Sequence, residues 1–76
     1  MALPPEQKIE MWLFFAKRSE AAVAYGEAHP GYYEAQDARW PMKWEGEVVS
    51  RIEWHRRDAA RWRQYAKDIQ EGRSKA

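Results

Sequence analysis

Trp54, Asp58, Arg61 and Tyr65 recur at steps of 4, 3 and 4, the spacing that stacks side chains on one ridge of an α-helix. An indole, a guanidinium and a phenol on one ridge are the residue types that anchor protein interfaces, because they bury a large area at low entropy cost. Asp58 stands between them as the orienting acid. Tyr32, Tyr33 and Trp40 form a second candidate contact patch beside a Pro-Gly turn signal. The chemistry implied by both groups is recognition of another protein.

A second reading comes from the charge distribution. Residues 50–76 hold eight Lys or Arg against four acids, and residues 1–49 hold five against eight, so a chain of net charge +1 is divided into a basic and an acidic half. Arg56, Arg63 and Lys67 fall within about 40° of one another on a helix, where they could meet the phosphates of a nucleic acid. The overall charge of +1 and the lack of a helix-turn-helix or basic-region motif make nucleic-acid accessory binding the alternative, not the leading reading.

Enzymatic chemistry has little to work with. The absence of cysteine removes thiol catalysis and thiolate metal sites, and the two histidines, His29 and His55, lack the acid three residues before them that a helical di-iron site requires. Ser19 and Ser50 lie outside glycine-rich turns. The expectation is a non-enzyme without cofactor or metal. His55 reads as a space-filling imidazole on an apolar face, and Glu20, inside the apolar arc of the first helix, is expected to meet His55 or Arg51.

The elements that must position these residues are helical. The sequence has twelve Ala, no Thr, no Asn, three Ile and three Val, so β-branched residues are too scarce for a sheet and helix is the default. Pro4 and Pro5 can open a first helix over residues 5–25, with Gly26 as its stop. A short helix fits residues 32–39, and Pro41 can open a long one over 41–71, ended by Gly72 and followed by a frayed tail at 72–76. Along the long helix Val48, Ile52, His55, Ala59, Trp62, Ala66 and Ile69 alternate steps of 4 and 3, a heptad seam. Gly46 is a weak point within it.

The fold expected is therefore all-α: a single-domain helical hairpin with a short third helix in the connection. Both long helices carry more apolar surface than one partner covers, so a homodimeric helical bundle is the expected assembly. The longest apolar run, Met11 to Ala16, is too short to cross a membrane, and a cytoplasmic location is expected. Abundant alanine, eight Arg against five Lys and the missing Asn suggest GC-rich coding, as in a high-GC bacterium or its phage. A small regulator of a host protein would fit that source.

Trp44-Glu45-Gly46 resembles the Trp-x-Gly of the WXG100 helical hairpins over three residues. Here the tripeptide follows the connection instead of forming the bend, and Ile69 stands where that family's tail has an acid four residues after a tyrosine. No function is carried over from it.

Overall fold

The computed structural model describes residues 3–73 as three helices and a two-stranded hairpin: α1 (Pro5–Ala28), α2 (Pro30–Arg39), β1 (Met42–Trp44), β2 (Glu47–Val49) and α3 (Arg51–Gln70). The mostly helical architecture agrees with the all-α expectation. The tail beyond Arg73 lies outside the described residues.

α1 starts at Pro5, whose missing N–H costs nothing in a first turn, and Glu6 faces the positive end of the helix dipole. It does not stop at Gly26 but runs on to Ala28, where Pro30 forbids a further turn. His29 closes it: the backbone N–H and Nδ1 of His29 both reach the carbonyl of Tyr25, at 2.9 and 3.0 Å. Gly26 serves close packing instead. A Cβ there would sit 2.8 Å from Ile52 Cγ1 and overlap the Tyr33 ring, so the glycine lets α2 and α3 approach the end of α1.

The long helix expected over 41–71 is two structures. Residues 42–49 form an antiparallel hairpin with Met42 opposite Val49, Lys43 opposite Val48 and Trp44 opposite Glu47. Its two-residue turn has φ +49° at Glu45 and +86° at Gly46, both in the left-handed region that a twist-matched hairpin turn requires and that glycine adopts without strain. Val48, assigned by its spacing to the helical seam, is instead 63% exposed on the edge of this ribbon.

A hairpin this short is unstable alone, and α3 holds it. The Trp44 ring meets Trp54 edge-on at 5.7 Å, the Arg61 guanidinium lies 4.2 Å above Trp44, and Trp54 Nε1 donates to the carbonyl of Lys43 at 3.2 Å.

α3 begins at Arg51 because Ser50 caps it, its Oγ accepting from the N–H of Glu53 at 3.1 Å. Asp37 of α2 completes that end, accepting from the Arg51 N–H at 3.2 Å and pairing with its guanidinium at 2.7 Å. Replacing Ser50 by alanine should therefore destabilise the protein by about 1 kcal/mol, a Tm loss of roughly 4–8 °C. In an unbroken helix from Pro41 the same change would be neutral or stabilising, so thermal unfolding of the variant separates the two.

α1 and α3 pack antiparallel. The seam residues Ile52, His55, Ala59, Trp62, Ala66 and Ile69 face inward at least in part, and Ala16, Ala59 and Ala66 are the buried apolar residues among those described. No large side chain is fully buried among them. The helices meet over small residues, and the aromatic rings flank that contact.

Candidate functional site

Between α1 and α3 lies an open groove of about 420 Å³, walled by Phe15, Arg18 and Ala22 on α1 and by Trp54, His55 and Trp62 on α3, with Ser19 and Asp58 in its lining. Two members of the sequence ridge, Trp54 and Asp58, are thus part of this groove. Arg61 and Tyr65 continue the same ridge beside it.

Asp58 is the polar centre of the groove. It is only 8% exposed, and its Oδ2 accepts from Ser19 Oγ at 2.9 Å and from Trp62 Nε1 at 3.0 Å. It is not the solvent-facing acid between exposed anchors that its ridge position suggested. Ser19, 7% exposed, brings α1 to α3 through this carboxylate, and Asp58 also fixes the Trp62 indole. The Ser19 hydroxyl donates to a carboxylate rather than to an imidazole, which ties two helices together but does not generate an alkoxide.

Trp62 in turn organises the rings. It stacks on Trp12 with centroids 5.2 Å apart and planes 5° from parallel, and it contacts Phe15 at 5.5 Å and Tyr65 at 5.7 Å. Trp12 completes the cluster against Tyr65 at 5.4 Å, edge to face. Trp12 Nε1 is a buried donor with no hydrogen-bond acceptor among the described residues, unlike the satisfied Nε1 of Trp62.

The remaining sequence candidates divide by exposure. Tyr65 is 42% exposed at one rim, while Trp54 and Arg61 are half-buried because the hairpin's Trp44 covers their outer side. The element covering the ridge is thus the β-hairpin.

In the second patch Tyr32 is exposed and joins Tyr25 and Tyr33, each 5.1 Å away, while Tyr33 turns inward over Gly26 toward His55. Burial pushes the Tyr33 phenol above its usual range, with Tyr32 and Tyr25 adding to the effect. Trp40 is exposed beyond the end of α2, with the Arg39 guanidinium 4.7 Å above its ring. Phe14 is 62% exposed on α1 and meets Phe15 at 5.9 Å.

The two arginines of the basic flank are drawn into pairs with α1. Arg63 forms a two-pronged bridge to Glu20 at 2.6 and 2.7 Å, and Arg56 reaches Glu27 at 3.3 Å. Lys67 is exposed. Glu20 therefore faces Arg63, not His55 or Arg51, and hydrogen bonding to that guanidinium holds its carboxyl below the usual range. These pairs are exposed and each is worth little, about 0–1 kcal/mol.

His55 is held below its ordinary value near 6.5, first by burial, with Asp58 opposing the shift and Arg51 adding to it. As pH falls below about 6.5 the unfolded chain takes up the proton before the folded one, so stability is fullest above that value and is lost as pH drops toward the lowered value. Urea midpoints measured at about pH 7.5 and 5.5 should show the fall, and His55→Gln should remove most of it. An unchanged slope in that variant would assign the effect elsewhere.

No described helix is long and apolar enough to cross a membrane. No family model, curated protein or solved structure matches the chain.

Proposed function

We propose that this chain is a non-enzymatic interaction module that binds other protein chains through the α1–α3 groove and its aromatic rim, and that it forms a homodimer. One observation carries the reading: no large side chain is fully buried among the described residues, while Phe14, Tyr25, Tyr32, Trp40 and Tyr65 stand exposed. A small domain whose rings are left half in water gains most by covering them with a second surface. Phe14 and Tyr65 are the exposed apolar residues of the helix pair nearest the groove's aromatic cluster, through their ring contacts with Phe15 and with Trp12 and Trp62. They are the anchors of choice, with Trp54 and Arg61 behind them.

Regulation of a host protein in a bacterium or phage is the biological setting this reading suits. The nucleic-acid alternative gains no support from the geometry, because Arg56 and Arg63 already face Glu27 and Glu20 and fewer cations remain to release counterions from a phosphate backbone.

Tyr65→Ala removes an exposed ring and should leave the helical content intact. It is expected to weaken the dimer by about 2 kcal/mol, roughly thirtyfold in Kd by sedimentation equilibrium. A change below about 1 kcal/mol would remove Tyr65 from the interface.

A further inference from the structure

The α1–α3 groove combines two features that together select a ligand. Asp58 is 8% exposed and lies in the groove lining, yet no Lys, Arg or His pairs with it among the described residues. Its two hydrogen bonds, from Ser19 and Trp62, both fall on Oδ2, leaving Oδ1 without a protein donor among the described residues. Around this carboxylate stand the rings of Phe15, Trp54 and Trp62, with the His55 imidazole in the same lining but not in an ion pair with it among the described residues.

Oδ1 opens toward the groove, and a cation that enters can replace the water there with a charge-assisted hydrogen bond to this carboxylate. Aromatic faces attract that same cation through their quadrupoles, most strongly where water is excluded. An anion would meet the buried negative charge, and a purely apolar group would leave Oδ1 dry and unpaired.

We propose that the groove is a subsite for a cationic side chain, a lysine ammonium or arginine guanidinium carried by the partner chain, received by Asp58 Oδ1 between the Trp54 and Trp62 rings. This rests on the reading of the groove as a protein-binding face and adds the chemistry it recognises. The stem of such a side chain is apolar and its head is charged, which matches aromatic walls around a carboxylate. Arg18 shares the groove lining but is itself exposed, so solvent and salt screen its repulsion more than they screen the attraction of the buried acid.

The test uses the full chain and n-butylammonium chloride, the end of a lysine side chain, against n-butanol of the same length, at matched ionic strength. Indole N–H resonances of Trp54 and Trp62 are followed by NMR. The expected result is a saturable shift with the ammonium, binding at least about fivefold tighter than the alcohol. In Asp58→Asn that preference is lost, since the amide oxygen can still accept from Ser19 and Trp62 but the charge is gone. Trp54→Leu should weaken ammonium binding severalfold and gives a second readout if the asparagine variant does not fold.

Equal response to both probes, no saturable response to ammonium, or undiminished preference in Asp58→Asn would each overturn the proposal. Solution mass measured on the same samples reports the dimer separately: a dimer without ammonium preference removes only the cation subsite, and a monomer with that preference keeps the subsite and removes only self-association.

Discussion

Trp62→Ala is expected to cost about 3–5 kcal/mol, out of a total that for a chain of this length is roughly 4–11 kcal/mol. The loss has two sources. The indole contacts Trp12, Phe15 and Tyr65, and a methyl group in its place loses those contacts and widens the groove that Trp62 walls. Asp58 then also loses one of its two donors while remaining buried. Thermal unfolding should show a Tm fall of at least about 12 °C.

A pair of milder variants separates these contributions. Trp62→Phe keeps much of the ring and loses the bond to Asp58, at about 1–2 kcal/mol, whereas Trp12→Phe loses similar ring area but also a buried N–H with no acceptor among the described residues, and should cost less. Equal costs for the two would mean that the bond from Trp62 to Asp58 contributes nothing.

Gly26→Ala tests the other end of the helix pair by its sign. At an open helical position alanine is better than glycine by about 1 kcal/mol. Here the added methyl would meet Ile52 Cγ1 at 2.8 Å and the Tyr33 ring, and overpacking of this kind costs about 1–3 kcal/mol. The tyrosine ring can swing aside more easily than Ile52, whose side chain comes from α3 itself. A net destabilisation of up to about 2 kcal/mol is expected in urea titration, together with a looser α2. A gain in stability would show that α2 and α3 do not close on α1 at this point.

The seam on α3 was legible because six of its residues, Ile52 to Ile69, follow the helical period and face α1. The hairpin was not, and the reason is local degeneracy. Trp44, Val48 and Ile52 are spaced four apart, so they satisfy a helix stripe as well as a strand followed by a helix start, and Pro41 is acceptable at the head of either. What decides is the left-handed turn at Glu45 and Gly46 and the seat for Trp44 against Trp54 and Arg61, the second of which is tertiary. Ser50-Arg51-Ile52-Glu53 was the readable signal of a new helix start.

The candidate site is a ridge in the sequence and a groove in the structure. Period alone places Asp58 beside Trp54 and Arg61, yet its burial depends on Ser19, 39 residues away. The same holds for Arg63 and Arg56, whose acidic partners on α1 come from the opposite half of the chain. Long-range pairs of this kind leave no trace in a single sequence. The exposed aromatic side chains do, in the sense that a chain with five Trp and four Tyr in 76 residues has more rings than a two-helix contact lined with alanine can enclose.

Light scattering coupled to size exclusion, at near-physiological salt and several protein concentrations, tests the central claim most directly. Association through exposed rings predicts a mass approaching twice 9.1 kDa as concentration rises. A mass of 9.1 kDa at every concentration would contradict the homodimer.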